Sequence, residues 1–137
     1  MKLTLEIITP TKVVLSEEVD EITIPTVSGE ITVLPNHIDL LTKIKAGEMV
    51  IHNDGKIHLF AITGGFLEIT NNRVNILADH AIRADDIEVA EVEKAKERAE
   101  KAMKEKTTEE DFRVADAELK KAILELKVAR KHKARTQ

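Results

Sequence analysis

The stretch GGFLEITNNRVNILA, residues 64–78, holds the clearest structural pattern in the sequence. Two short segments rich in apolar residues and Thr, Phe66–Thr70 and Arg73–Leu77, are preceded by a Gly-Gly pair and separated by an Asn-Asn pair. Short segments of this composition between turn residues are typical of β-strands. The stretch therefore predicts two strands joined by a turn at Asn71-Asn72.

The same pattern recurs back to the N-terminus. Further short segments rich in Val, Ile and Thr are separated by turn residues: Leu3–Ile8, Lys12–Leu15, Glu21–Ile24, Glu30–Leu34, Glu48–His52 and Ile57–Ile62. Many short strands at nearly regular spacing indicate an antiparallel sandwich or barrel. We therefore predict an N-terminal antiparallel β-sandwich over residues 1–84.

The composition of the chain changes near residue 80. All five glycines and all three prolines lie at or before Gly65, whereas alanine is sparse before Ala78 and dense after it. Strong helix formers dominate from Asp85 onward. A first helix is predicted to begin at a cap formed by Asp85 or Asp86. Its small or apolar residues recur at spacings of three and four: Val92, Ala95, Ala99 and Ala102.

A second helix follows a short turn at Lys106–Thr108. Thr107 and Glu110 have the spacing of a capping box, which restarts the helix. The second helix carries a seam of alternating spacings: Phe112, Ala115, Leu119, Ala122, Leu126 and Ala129. Two such stripes with a short connection indicate an antiparallel two-helix hairpin over residues 85–137. The predicted fold class is therefore α+β.

Alanine makes the predicted seam weak. A buried methyl contributes about 0.8 kcal/mol, whereas a buried Leu or Phe contributes roughly 1.5–3 kcal/mol. Differential binding of about 5.5 kcal/mol shifts a two-state equilibrium almost completely. The composition thus permits a partner to open the hairpin without demonstrating that it does.

Composition excludes several classes of protein. The 137 residues hold no cysteine, so disulfide frameworks, thiolate metal sites and cysteine nucleophiles are absent. Aromatic residues make up 2% of the chain, with no Trp or Tyr, and the net charge is −4, so nucleic acid is not an expected ligand. No run of about 18 apolar residues occurs, so membrane contact is expected only through a partner protein.

Three groups of residues resemble reactive sites without completing one. His52 and His58 bracket a turn and could face each other across a hairpin, but two imidazoles without a third ligand make a poor metal site. Gly64-Gly65 lacks the Lys-Ser/Thr that follows a phosphate-binding loop. His80 beside Asp79 has no neighbouring nucleophile. We predict neither a catalytic nor a metal site.

The C-terminal end of the second helix is basic. After residue 119, only Glu125 opposes its cations: Lys120, Lys121, Lys127, Arg130, Lys131, Lys133 and Arg135. Either this surface docks on an acidic partner or it is a solvated helix end. Salt-sensitive partner binding would distinguish the two interpretations.

Three stretches in this order resemble the ε subunits of bacterial F-type ATP synthases: Ser28-Gly29-Glu30-Ile31-Thr32-Val33-Leu34-Pro35-Asn36-His37, Gly64-Gly65-Phe66-Leu67-Glu68-Ile69 and Val74-Asn75-Ile76-Leu77-Ala78. The resemblance covers essentially the whole chain. It implies that the sandwich sits on the foot of the γ shaft and touches the polar loops of the membrane c-ring. It also implies that the hairpin inhibits ATP hydrolysis by extending into the catalytic α/β head.

The resemblance assigns roles to particular residues. Glu30 and His37 correspond to the c-ring contact, where a carboxylate and an imidazole can hydrogen-bond polar loops and pair with an Arg. The basic helix corresponds to the surface that meets an acidic segment of the β subunit. Its residues are Arg113, Lys120, Lys121, Lys127, Arg130 and Lys131.

One motif departs from the family pattern. Members that bind ATP carry Ile/Leu-Asp-x-x-Arg-Ala at the start of the first helix, and here it reads Ile87-Glu88-Val89-Ala90-Glu91-Val92. Glu91 replaces an attraction to polyphosphate with a like-charge repulsion. Glu125 stands where nucleotide-binding members tend to have an arginine, and Arg98 alone is usually a surface residue. We therefore expect no cofactor and absent or weak ATP binding.

The resemblance thus implies a non-catalytic central-stalk subunit, peripheral to the cytoplasmic face of the cell membrane. Its expected partners are the γ subunit, the c-ring loops and the α/β catalytic subunits. Two alternatives remain at this point: a free-standing sandwich-and-coil adaptor, and an ATP-sensing binding module. Co-purification with a γ-like shaft protein tests the first, and calorimetry with Mg-free ATP tests the second.

Overall fold

The computed structural model describes residues 1–105 and 108–136. The chain divides into two compact units, Met1–Arg83 and Ala84–Gln137. The first unit contains the β-strands of the described chain and the second contains its helices. A β-sheet unit followed by a two-helix region confirms the predicted fold class.

The strand unit is one sheet of ten strands. They are β1 Leu3–Ile8, β2 Val13–Val19, β3 Glu21–Thr26, β4 Gly29–Val33, β5 Leu40–Ile44, β6 Gly47–Asn53, β7 Lys56–Ile62, β8 Gly65–Thr70, β9 Arg73–Ala78 and β10 Ala81–Arg83. Neighbouring strands follow the order β10-β7-β6-β3-β5-β8-β9-β1-β2, and β4 pairs with β3. All pairings are antiparallel except that of β1 with β9, which is parallel.

Every strand predicted from the sequence is present, but β5 and β10 were not predicted. β5 is interrupted by Lys43 and lacks the Val-rich composition used to recognise strands. β10 is three residues long and is defined by its pairing with β7, where Ala81 lies opposite Ile62. Both strands depend on partners distant in sequence, which local composition does not reveal.

The core lies on the inward faces of the strands. In β1 the residues alternate between buried and half-buried, with Leu3, Leu5 and Ile7 inside. β3 contributes Ile22 and Ile24 in the same way. Because each fully buried aliphatic side chain contributes roughly 1.5–3 kcal/mol, this apolar layer provides most of the free energy that holds the strand unit together.

The helical unit begins with a 3₁₀ turn, Ala84–Asp86, followed by helix α1, Val89–Lys104. The predicted cap at Asp85 or Asp86 is therefore wrong. Ile87 is buried and its N–H donates to the Ala84 carbonyl at 3.2 Å, so the chain closes a tight turn before the helix starts. Glu88 occupies the capping position without a side-chain hydrogen bond.

Helix α2, Glu109–Thr136, begins at a hydroxyl cap. The Asp111 N–H donates to Thr108 Oγ1 at 3.1 Å, and the Phe112 N–H donates to the Thr108 carbonyl at 3.0 Å. Such a cap stabilises a helix by about 1 kcal/mol. The predicted cap residue, Thr107, and its neighbour Lys106 lie outside the described residues.

α1 and α2 pack against each other along small residues. Ala99 of α1 is buried, as are several residues of α2 on the predicted seam: Ala115, Ala122, Leu126 and Ala129.

Phe112 was predicted to be inside and is 45% exposed. Glu125 and Val128 were not predicted and are buried. A close polar contact also joins Asp85 Oδ1 to His132 Nε2, which ties the 3₁₀ turn to the end of α2. Neither of the described helices is long and apolar enough to cross a lipid bilayer.

Gly65 lies where β8 and β9 approach too closely for a side chain on β8. Its φ is +127°, and a Cβ placed there would lie 2.0 Å from the Leu77 carbonyl oxygen and 2.8 Å from Ala78 Cα. Gly29 has a similar φ, +116°, but a Cβ there would meet nothing within 4 Å. The two glycines thus share the same unfavourable backbone region for an L-residue, and only Gly65 adds a clash with backbone.

Gly65→Ala is expected to destabilise the strand unit much more than the matched control Gly29→Ala. The control suffers backbone strain of about 1–3 kcal/mol. Gly65→Ala must also displace β9, which we expect to add at least about 2 kcal/mol. Urea unfolding followed by methyl NMR signals of Leu67 and Ile76 measures both, since the chain has no Trp or Tyr. Equal unfolding midpoints for the two variants would contradict this interpretation of the close approach.

Candidate functional site

The turn that carries His37 has a defined geometry. The His37 N–H donates to the Leu34 carbonyl at 3.2 Å, which closes a four-residue turn. Pro35 occupies its second position and Asn36 its third, with φ at +64°. Pro followed by a residue with positive φ is the signature of a type II turn. We call residues Leu34–His37 the His37 turn.

The His37 ring has one nitrogen engaged and one available. His37 Nδ1 lies 2.7 Å from the Ile38 carbonyl oxygen. A carbonyl only accepts, so Nδ1 carries the hydrogen and donates. Nε2 has no hydrogen-bond partner in the part of the chain that the structure describes. The ring is half-buried and is flanked by Leu34 and Ile38, which are 53% and 80% exposed.

Glu30 is exposed but does not lie beside His37. It stands on β4 opposite Pro25, next to the β3–β4 turn, whereas His37 follows the other end of β4. From Glu30 to Val33 the strand rises by about 10 Å. No hydrogen bond or ion pair joins the two side chains within the described residues. The two predicted contact residues therefore belong to opposite ends of one strand.

The His37 turn is tied to the β8–β9 turn and to the start of β1. The Asn36 N–H donates to Asn72 Oδ1 at 2.8 Å, and Asn72 Nδ2 donates to the Lys2 carbonyl at 2.9 Å. Lys2 is in turn paired with Asp54 at 2.8 Å and with Asp20 at 3.5 Å. These hydrogen bonds and ion pairs join five chain segments at one end of the strand unit.

Two groups of this network have shifted pKa values. The hydrogen bond from Lys2 to the Asp54 carboxylate raises the pKa of the Lys2 ammonium. The Asp54 N–H, which donates to Asp20 Oδ2 at 2.8 Å, holds the pKa of the Asp20 carboxyl below its usual value. Both shifts favour the charged forms, so Lys2 and Asp20 are ionised at neutral pH.

An exposed apolar row crosses the outer face of four strands, and it was not identified from the sequence. Val13 of β2 lies opposite Ile8 of β1, Ile8 opposite Leu77 of β9, and Leu77 opposite Phe66 of β8. Val13, Leu77 and Phe66 are 58%, 53% and 48% exposed. Together with Thr9 and Pro10, part of this row lines a groove of about 330 Å³.

A signal for the apolar row is present in the sequence. Strands with one wet face alternate apolar and polar residues. Phe66-Leu67 and Ile76-Leu77-Ala78 instead place apolar residues at consecutive positions, so they present apolar side chains on both faces. The outward members of these pairs are Phe66 and Leu77, because Leu67 and Ile76 are buried.

The residues of the altered ATP motif, Ile87–Val92, differ in burial and straddle the start of α1. Ile87 is buried, Glu88 precedes α1, and Val92 is half-buried. Glu91 is exposed in the first turn of α1, where its carboxylate lies 3.7 Å from Lys94 Nζ. The motif therefore presents carboxylates at the helix start.

Arg98 lines a cleft between α1 and α2 of about 220 Å³. The other charged residues of the cleft are Glu118, Lys121 and Glu125, and Ala95 and Ala122 form its floor. Glu125 is only 7% exposed. Two cations thus share this cleft with two carboxylates, which leaves no net positive charge for a polyphosphate.

The basic residues predicted on α2 are largely exposed. We call them the basic face: Arg113, Lys120, Lys121, Lys127, Arg130 and Lys131. Lys120 Nζ lies 3.0 Å from Asp116 Oδ2, and Lys121 is half-buried in the cleft. Arg113, Lys127 and Arg130 are exposed. Because Glu125 is buried, its charge does not interrupt the exposed cations.

His52 and His58 lie on opposite faces of their hairpin. His52 is opposite Ile57 and His58 is opposite Ile51, so the two imidazoles do not face each other across the hairpin. His52 Nε2 instead lies 3.6 Å from Glu21 Oε2 on the adjacent strand. Among the described residues no cluster of three His, Asp or Glu side chains is arranged to hold a metal ion.

Two solved structures that share the fold are cryo-EM structures of mitochondrial ATP synthases. A chain in the Euglena gracilis OSCP/F1/c-ring structure matches with a TM-score of 0.64 and 22% identity, covering 99% of this chain and 82% of that chain. A chain in the Tetrahymena thermophila central stalk/c-ring structure matches with a TM-score of 0.58 and 16% identity, covering 94% and 97%. These likenesses establish a shared fold.

Sequence comparison establishes the family. The model of the ATP synthase delta/epsilon chain β-sandwich domain matches residues 2–84, and that of the long α-helix domain matches residues 85–130. The ATP synthase epsilon chain of Herpetosiphon aurantiacus is 44% identical over 95% of this chain and 96% of its own length. The epsilon chain of Desulforamulus reducens is 43% identical over 91% and 95%. The chain therefore belongs to the ATP synthase delta/epsilon chain family, and both relatives named above, matched over nearly their whole length, are epsilon chains.

Proposed function

We propose that the chain is a non-catalytic central-stalk subunit that couples a γ shaft to a membrane c-ring during ion-driven ATP synthesis. The observation that carries this proposal is the exposed apolar row on the outer face of the sheet. The similarity of the chain's fold to chains from ATP synthase assemblies that contain the central stalk or the c-ring supports the same role. A position on the cytoplasmic face of the cell membrane, peripheral to the bilayer, follows from this assignment.

The apolar row is the proposed contact with the γ shaft. Contiguous exposed apolar side chains on a small protein mark an interaction surface. Phe66 and Leu77 lie side by side at the β8 end of the row, and the groove beside Pro10 gives a partner side chain a place to insert. A shaft helix with apolar residues is the occupant that this surface fits.

His37 and Glu30 are the proposed contacts with the polar loops of the c-ring. Nε2 of a neutral His37 accepts a hydrogen bond, and the Glu30 carboxylate pairs with an Arg or accepts from loop amides. Since the two residues flank β4 at opposite ends, they would meet different loops of the ring. Loss of c-ring binding by His37→Ala and by Glu30→Ala, measured separately in detergent, tests the two contacts.

Phe66→Asp is expected to remove the chain from the assembled stalk without unfolding it. An exposed aspartate costs little in the isolated chain, but it would be buried unpaired beneath γ, so we expect affinity to fall by at least about tenfold. Co-purification with γ from membranes measures this effect. Ile57→Asp is the matched control, because Ile57 is 38% exposed on β7, outside the row. If both variants assemble like the parent chain, the apolar row is not the γ contact.

We further propose that α2 restrains ATP hydrolysis by docking its basic face on acidic surface of the catalytic head. Exposed Lys127 and Arg130 provide the electrostatic attraction. Because the seam between the helices is rich in alanine, releasing α2 from α1 requires little free energy. Opposite charge would steer α2 toward the head and raise its rate of docking.

Lys127→Ala/Arg130→Ala is expected to raise ATP hydrolysis by the reconstituted head. Two exposed charge pairs contribute about 0.4–2 kcal/mol, so docking should weaken about 2- to 30-fold. Lys101→Ala/Lys104→Ala, which removes two cations from α1, is the matched control. Hydrolysis assays at fixed ionic strength compare them. Undiminished inhibition by the α2 variant, with assembly intact, would show that docking is steric or apolar.

ATP is not a tight ligand of this chain in our proposal. Glu91 and buried Glu125 place carboxylates where a polyphosphate would need cations. Titration calorimetry with Mg-free ATP is expected to show no saturable binding below about 1 mM. Glu91→Arg is expected to strengthen whatever binding exists. Micromolar affinity in the parent chain would instead support an ATP-sensing role.

A further inference from the structure

We propose that Asn72 is a positioning residue that holds the His37 turn in its contact geometry. This inference rests on the proposed function of His37 as a c-ring contact. Asn72 lies 36 residues from Asn36 in sequence and belongs to the β8–β9 turn. Its side chain bridges two other segments of the chain.

One amide group makes both connections. Asn72 Oδ1 accepts from the Asn36 N–H at 2.8 Å, and Asn72 Nδ2 donates to the Lys2 carbonyl at 2.9 Å. The backbone of Asn72 is itself fixed, because its carbonyl accepts from the Thr4 N–H at 3.1 Å. The His37 turn is thus attached through Asn72 to the parallel β1–β9 pair.

The His37 turn has little other support. Within the described residues, the only other hydrogen bond that reaches positions 34–39 from elsewhere in the chain is the weak one from Asn36 Nδ2 to Met1 Sδ at 3.5 Å. His37 Nδ1 bonds to the adjacent Ile38 carbonyl, which orients the ring relative to the turn but not relative to the sheet. Asn72 is therefore the polar link that fixes the imidazole relative to the rigid sheet.

The orientation of the His37 ring matters because, in the proposed function, this residue contacts the c-ring. A contact group held in its bound geometry loses less conformational entropy on association. Without the link, the turn would sample more orientations, and the fraction of chains with His37 correctly placed would fall.

The chain provides a matched control in the neighbouring residue. Asn71 occupies the same turn with φ at +48°, against +61° for Asn72, and it is exposed. No side-chain hydrogen bond of Asn71 is present within the described residues. Asn71→Gly and Asn72→Gly thus make the same chemical change, and only the second removes the bridge. Asn72→Asp keeps an oxygen acceptor for the Asn36 N–H.

Amide hydrogen exchange and c-ring binding together test the proposal. Asn72→Gly is expected to speed exchange of the Asn36 N–H by about tenfold or more and to weaken c-ring binding as His37→Ala does. Asn71→Gly is expected to change neither, and Asn72→Asp to retain Asn36 protection. The proposal is overturned if Asn36 exchange is unchanged in Asn72→Gly, or if Asn71→Gly has the same effects.

The His37→Ala variant separates the two levels of inference. If it binds the c-ring normally, the proposed contact fails. Asn36 exchange in Asn72→Gly then decides alone whether Asn72 positions the turn.

Discussion

The parallel pairing of β1 with β9 determines where both proposed contact surfaces of the strand unit lie. Its register sets Thr4 opposite Arg73 at one end and Ile8 opposite Leu77 at the other. The first end brings Lys2 next to Asn72, and through Asn72 to the His37 turn. The second end continues the apolar row from β2 to β8. A one-residue slip in this register would move every side chain of β1 to the opposite face and disrupt both surfaces.

The close approach at Gly65 supports the same arrangement. Gly65 lies opposite Ala78, where β8 enters its pairing with β9, and no side chain fits there. That contact aligns Phe66 beside Leu77 at the β8 end of the apolar row. The helical unit has a different energetic character, because its seam is made mainly of alanines whose burial contributes little per residue. The contrast is consistent with a rigid coupling unit and a regulatory element that can be released.

Local patterns in the sequence were sufficient to predict the strands and helices whose residues lie close together in the chain. Composition identified most strands and the switch to helices. The missing features depend on residues far apart in sequence. β10 exists through its pairing with β7, the apolar row through cross-strand register, and the Asn72 bridge through the meeting of two turns. The start of α1 was misplaced because burial of Ile87 draws Asp85 and Asp86 into a 3₁₀ turn, and local propensity does not report burial.

In the proposed function, the strand unit alone carries the surfaces that join this chain to the stalk. The most direct measurement is co-purification of a chain truncated after Asp86 with γ and the c-ring, after NMR has confirmed that it is folded. The account predicts that the truncated chain assembles as well as the full chain, because the apolar row, Glu30 and the His37 turn all lie before residue 84. A folded truncated chain that fails to assemble would contradict it.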